Sequence, residues 1–201
     1  MRVKDMYLKK NRLLIYLIFF SFLFNSICFA KSPPTKQIIN YIEGLKNFSG
    51  EFIQNDGNLI SEGRILIGLE RVRVEYYTPT KILIILDKNK AMYYNYDLDE
   101  DEFFDPKDTS AGFFFQIFNN PDFFSDSKII SEDNYLILQK RGISENGKFE
   151  IDIFFENNPM IIRKVNMFID ENYLSLSIYN HNYNEEFNKN IFKLINPSFF
   201  D

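Results

Sequence analysis

Few side chains in this sequence have the types and spacing needed for chemistry. The sole histidine, His181, sits in "YNHNYNEEF", a polar stretch that reads as a turn. The sole cysteine is Cys28, so a zinc cluster or a Cys–His nucleophile has no second group to work with. The sequence contains neither a G-x-S-x-G elbow nor a Gly-rich phosphate loop. The acidic run "DLDEDEFFDPKD" comes nearest to a ligand set. Its Asp97, Asp99 and Asp101 have the 1-3-5 spacing of a calcium loop, and Asp108 falls at the twelfth place. Glu102, however, occupies the sixth place, where the sharp turn needs Gly, and the twelfth normally supplies a bidentate Glu. The run reads as a solvated acidic loop. The expectation is a protein that is not an enzyme and holds no metal and no cofactor.

The elements that would position any site are mostly strands. "PPTKQIINYIEGLKN" predicts one amphipathic helix from about Thr35, with Ile38, Ile39, Ile42 and Leu45 as its apolar stripe and the prolines ahead of it. The period then changes to two. "FSGEFIQ" places Phe48, Gly50 and Phe52 on one face; "GRILIGLERVRVEYYTP" places Ile65, Ile67, Val72, Val74 and Tyr76 opposite Arg71, Arg73 and Glu75. "KILIILD" and "AMYYNYD" continue the strands. Downstream, "KFEIDIFF" puts Phe149, Ile151, Ile153 and Phe155 on one face, "RKVNMFI" alternates Val165, Met167 and Ile169, and "YLSLSIYN" does so through Leu174, Leu176 and Ile178. Connections as short as "SENG" and "ENNP" make neighbouring strands antiparallel. The fold class expected is mainly β (α+β), a twisted antiparallel sheet with one apolar face, one helix before it and another inside it.

The inner helix lies in "AGFFFQIFNNPDFF", with phenylalanines at 113, 114, 115, 118, 123 and 124. Phe114, Ile117 and Phe118 share a helical face, while Phe113 and Phe115 spill around it. One helix and this segment are a thin cover for so many apolar strand positions. That leaves room for a cavity suited to an apolar ligand. The alternative is that these rings complete a dry core.

The chain opens with the basic "MRVKDMYLKKNR", the apolar run Leu13 to Phe24, and "NSICFA". These are the parts of a secretory signal peptide, with small residues Cys28 and Ala30 three and one before a cut. The apolar run is shorter than the ~20 residues of a spanning helix, so cleavage after Ala30 is expected, leaving residues 31–201 as one domain. Asn25 and Ile27 make a poor lipobox for Cys28. Removing residues 1–30 takes away five basic residues and one acidic, which moves the formal net charge from −5 to −9. Such an acidic surface argues against nucleic acid or anionic lipid headgroups as partners.

The order of "LKNFSGEFIQ", "EGRILI", "RVRVEYYTP" and "MYYNYDLD", then "DTSAGFFFQIF" and "FEIDIFFENNPMIIRKV", resembles the periplasmic outer-membrane lipoprotein carrier family, LolA, from about Gln37 to Pro197. The resemblance implies an incomplete antiparallel β-barrel with helices lidding its open, apolar side. It also implies a cavity that holds the acyl chains of lipoproteins released by an inner-membrane lipoprotein-releasing ABC transporter and passed to an outer-membrane acceptor. The protein would work in the periplasm, as a monomer. Strand residues expected to line that cavity are Phe48, Phe52, Ile65, Ile67, Val74, Tyr76, Ile151, Ile153, Val165 and Met167. Phe114, Ile117 and Phe118 would join them from the lid. Two departures stand out. The family's Arg-Pro, whose Arg latches the lid, is Leu69-Glu70 here, so the latch is expected to be missing or moved to Arg71 or Arg73. The family's Thr-Pro before the lid helix is Thr109-Ser110. Rival readings are a lipid-anchored acceptor of this fold, a periplasmic adaptor or sensor built on it, and an unrelated small-ligand carrier.

Overall fold

The computed structural model describes residues 33–107, 109–145 and 147–200. The expected signal peptide and its cut after Ala30 lie outside the described residues, as does Asp108 of the acidic run. From Pro33 onward the chain is an eleven-stranded antiparallel sheet in the order β6-β5-β4-β3-β2-β1-β11-β10-β9-β8-β7. Its first meander comprises β1 (Asn47–Asn55), β2 (Ile60–Gly68), β3 (Arg71–Thr78), β4 (Ile82–Leu86), β5 (Ala91–Asn95) and β6 (Glu100–Phe104). The second comprises β7 (Lys128–Glu132), β8 (Tyr135–Ser144), β9 (Gly147–Asn157), β10 (Met160–Ile169) and β11 (Asn172–Asn182). The meanders join where β1 pairs with β11. Among the described residues the edges, β6 and β7, do not pair with each other, so the barrel is incomplete. The chain between them carries helix α2 (Ser110–Asn119) and a 3₁₀ turn at Pro121–Phe124.

Helix α1 (Pro34–Glu43) begins with proline in its first turn, where the missing N–H costs nothing, and buries Ile38 and Ile42 one turn apart. It packs against α2, β10 and the 3₁₀ turn. The Tyr41 hydroxyl fastens it to the sheet by accepting from the Ile162 backbone N–H at 3.0 Å. Burial, with the Tyr183 hydroxyl 3.3 Å away, pushes the Tyr41 phenol well above its ordinary value. α2 packs against β3 and β4. One core runs from α1 and α2 through both meanders, with Phe48, Phe52, Ile65, Ile151, Ile153 and Val165 fully buried in it.

Five local features differ from the sequence reading or add to it. β6, β7 and β8 are strands that the alternation did not declare, and β6 turns half of the acidic run into an exposed sheet edge. Asp97 and Asp99 occupy the β5–β6 turn, where Asp99 accepts from the Tyr94 hydroxyl at 2.7 Å and lies in the left-handed region at φ 54°. His181 is a half-buried residue near the end of β11, not part of a turn; its Nε2 lies 2.8 Å from the Ile162 carbonyl, and burial holds its pKa below the usual range. A bulge at Asn180 (φ 49°) shifts the β1–β11 register there, so that Ser49 faces Asn182 while Glu51 faces Tyr179. Finally, Phe113 and Phe115 do not spill into solvent. They are 3 % and 9 % exposed, because the curved sheet and the 3₁₀ turn enclose α2 on several sides.

Candidate functional site

The site is an apolar cavity between α2 and the strands around β1 and β3. Its back wall begins with Phe52 on β1. That ring lies directly over Gly63 of β2, where an added Cβ would come within 2.6 Å of it and 2.1 Å of the Glu75 carbonyl, so only glycine fits. The Phe52 ring then meets Tyr76 of β3 edge-on, with centroids 5.2 Å apart. Ile65 of β2 and Val74 of β3 are cross-strand partners, and Val74 also pairs with Ile84 of β4. Met167, Leu174 and Leu176 close the other side from β10 and β11.

α2 forms the fourth wall through Ser110, Ala111 and Phe114. Its start is set tightly. Thr109 is the N-cap: its side chain accepts from the Gly112 N–H at 3.1 Å and donates to the Pro106 carbonyl at 2.7 Å. Gly112 packs so close to that carbonyl that a Cβ would sit 2.0 Å from it. Phe114 stacks edge-on with Phe118 at 5.1 Å, and Phe113 packs on Phe149 of β9 at 4.5 Å.

The enclosed space is about 100 Å³. That is less than the ~150 Å³ of a cavity that admits benzene. It opens into a polar mouth of about 690 Å³ between the β1–β2 turn, the β10–β11 turn and the start of α2. Asp56, Asp170 and Glu171 line the mouth. The Asp56 carboxyl is held below the usual range by the backbone N–H groups of Asn58 and Leu59, at 2.9 and 2.8 Å. At the junction of cavity and mouth, the Tyr76 hydroxyl donates to Gln54 Oε1 at 2.8 Å. Burial pushes the Tyr76 phenol up to about 12, so it is a neutral donor at every physiological pH.

Of the residues expected to line a cavity, the structure gathers Phe52, Ile65, Val74, Tyr76, Phe114 and Met167 around this one. Phe48, Ile67, Ile117, Phe118, Ile151, Ile153 and Val165 lie in the continuous core beside it. Sequence reasoning missed Gln54, Ile84, Leu86, Leu174 and Leu176 as wall residues from the strands, and Ser110 and Ala111 from α2. The alternation through Leu174 and Leu176 was a usable signal; the uniformly apolar "KILIIL" gave none. Arg71 and Arg73, the latch candidates, point away from α2, on the opposite face of β3 from Val74. Arg71 pairs with Asp87 and donates to the Phe192 carbonyl at 2.8 Å, while Arg73 pairs with Glu75 and donates to the Ile191 carbonyl at 2.6 Å. Both therefore fasten the C-terminal segment to the outer face of the sheet rather than holding the lid.

Known proteins resemble this chain in sequence or in fold. The uncharacterized protein RP864 of Rickettsia prowazekii (strain Madrid E) is 26 % identical over 166 residues, 80 % of this chain and 76 % of its own length. Two crystal structures share the fold at a TM-score of 0.50 and 8 % identity. One is an uncharacterized conserved protein from Thermus thermophilus, matched over 77 % of this chain and 90 % of its own. The other is a DUF1329 family protein from Desulfovibrio piger, matched over 79 % and 95 %. The sequence profile described as outer membrane lipoprotein carrier protein LolA matches residues 43–195, well over half of the chain. With the incomplete barrel, the inserted helix and the cavity between them, this chain belongs to the LolA family.

Proposed function

We propose that the protein is a periplasmic carrier that shields the acyl chains of lipoproteins released from the inner membrane and delivers them to the outer membrane. The carrying observation is the apolar cavity between α2 and the sheet, open at one end to a polar mouth. Acyl chains would enter the cavity while the protein part of the cargo stays at the mouth. Each methylene withdrawn from water is worth ~0.8 kcal/mol, which is why a multiply acylated anchor needs such a shield. The cavity of this conformation is too small for a long chain, so loading requires α2, and Phe114 with it, to move outward. α2 bears no charged side chain and meets its surroundings through apolar contacts. An acyl chain can replace such contacts nearly in kind. Nothing in this role calls for a catalytic group; the protein binds and releases.

The partners that follow are outer-membrane-directed lipoproteins, an inner-membrane lipoprotein-releasing ABC transporter and an outer-membrane acceptor, with the carrier acting as a monomer. The test is mass analysis of material extracted from the protein purified out of the periplasm. Acylated lipoproteins in stoichiometric amount are expected. Protein consistently free of acylated material, but isolated with an unacylated protein partner, would replace the carrier by an adaptor or sensor of the same fold. A lipid retained on Cys28 would replace it by an anchored acceptor.

A further inference from the structure

The cavity and its mouth share a boundary, and Gln54 stands on it, lining both spaces together with Ser110. Among the described residues Gln54 is the one side-chain amide in a wall whose other polar groups are the Tyr76 and Ser110 hydroxyls. Its Oε1 is occupied by the Tyr76 hydroxyl at 2.8 Å, and among the described residues its Nε2 has no acceptor. Water can satisfy Nε2 while the junction is open. A hydrocarbon threaded through the junction strips that water and leaves a donor unpaired, whereas a chain with an acceptor at that depth does not. A site built around such a donor discriminates mainly by rejecting ligands that lack the acceptor. Ser110 brings a second hydroxyl to the same junction.

Charge narrows the acceptor further. Among the described residues no lysine, arginine or histidine lines the cavity or the mouth, while Asp56, Asp170 and Glu171 do. A ligand ending in a carboxylate would meet three like charges in a partly enclosed space. An ester or amide carbonyl would meet the donors without that repulsion.

We propose that Gln54, oriented by Tyr76, selects acyl chains joined through a neutral ester or amide carbonyl, against both bare hydrocarbon and free fatty acid. The proposal rests on the acyl-binding reading of the cavity and names the ligand chemistry there. The test is displacement of the fluorescent probe N-phenylnaphthylamine from the purified full chain by hexadecane, methyl palmitate and palmitate, at a pH where palmitate is ionised. Methyl palmitate should displace the probe at about five- to tenfold lower concentration than either competitor, the worth of one hydrogen bond kept rather than lost. Gln54→Leu should bring the ester-to-hydrocarbon ratio close to one. Tyr76→Phe, which leaves the ring in place and frees the amide to rotate, should reduce the ratio and also covers the case of a Gln54 variant that does not fold. An ester preference unchanged in both variants overturns the assignment to Gln54. Palmitate displacing as well as its ester overturns the neutral-head selection. If no competitor displaces the probe and the probe itself does not bind, the acyl-binding reading fails, and this proposal with it.

Discussion

The two faces of the sheet are covered in opposite ways. Inside, α2 lies against β3 and β4 with six buried residues and no charged side chain, and its cap bonds stay within its own segment. Outside, the stretch from Glu185 to Asn196 is fixed by directional polar contacts. Glu185 pairs with Arg64 at 3.0 Å, Arg71 and Arg73 donate to the carbonyls of Phe192 and Ile191, and Asn196 donates to Asp101 at 2.8 Å. Beneath it Phe192 is fully buried, and Leu194 packs on Leu83, Ile85, Met92 and Tyr94. Apolar contact is non-directional and can be exchanged for other apolar surface. Charge-assisted hydrogen bonds have fixed partners that no acyl chain can imitate. The difference assigns motion to the inner cover and permanence to the outer one.

Substitutions on the two sides should therefore separate stability from binding. The largest effect is expected outside: Phe192→Ala should destabilise by ~3–5 kcal/mol in denaturant unfolding, with cargo retention per folded molecule unchanged. Retention falling in step with stability would mean that the two covers are coupled. Inside, Phe114→Ala should cost only about 2 kcal/mol, less than a ring in a dry core, because this side chain borders open space. Retention of a purified lipoprotein or an acyl probe should fall clearly. A full core-sized stability loss with normal retention would make α2 a structural element like the outer segment. Arg73→Ala should cost about 1–2 kcal/mol through the lost bond to the Ile191 carbonyl. Its effect should appear as faster amide exchange confined to residues 183–195; faster exchange in α2 instead would restore Arg73 as a lid latch.

The sequence exposes the inner face far better than the outer one, and the reason is physical. On β3, Val72 and Val74 face the core while Arg71, Arg73 and Glu75 face the other way, so alternation alone separates the two sides. β4 is covered on both faces, the half-buried Ile84 and buried Leu86 within and buried Leu83 and Ile85 without, so "KILIIL" reads as a uniform apolar run. The cover over its outer face comes from more than a hundred residues downstream, in a stretch where Asn, Glu and Lys interrupt the apolar residues with no strand or helix period. Arg71 and Arg73 bind backbone carbonyls there, and a backbone carbonyl leaves no trace in residue identity. The phenylalanines of α2 mislead in the opposite direction. A helical wheel places Phe113 and Phe115 outside the stripe, but a helix enclosed by a curved sheet has no outer face to spare. Gln54 is hidden for a simpler reason: one amide at the end of "FIQ" looks like a strand leaving the core.

The smallest expected effect lies on Glu185, and it tests whether the outer cover is electrostatically fastened at its first turn. The Glu185 carboxylate accepts from Ser49 Oγ at 2.8 Å and from Asn182 at 2.7 Å, and pairs with Arg64. The Ser49 bond first, then Arg64, holds its pKa below the ordinary glutamate value of 4.5. A carboxyl lowered in the folded state stabilises fully above its unfolded value, and that contribution disappears as pH falls through the folded one. The outer segment should therefore be firmest at neutral pH and loosen on acidification below about 4.5. Because the pair is solvent-accessible and screened, the contribution is under ~1 kcal/mol. Amide exchange of residues 183–195 measured at about pH 6 and again near 3.5, corrected for intrinsic rates, should show protection lost in the wild type. Glu185→Gln keeps an oxygen acceptor for Ser49 but has no charge to titrate, so its protection should be lower at the higher pH and should fall less on acidification. Equal pH dependence in the two proteins would assign the acid response to other carboxylates. Pairing with Arg64 would then be incidental, and the outer segment would be held by its apolar contacts through Phe192 and Leu194, the two carbonyl bonds and the Asn196–Asp101 bond.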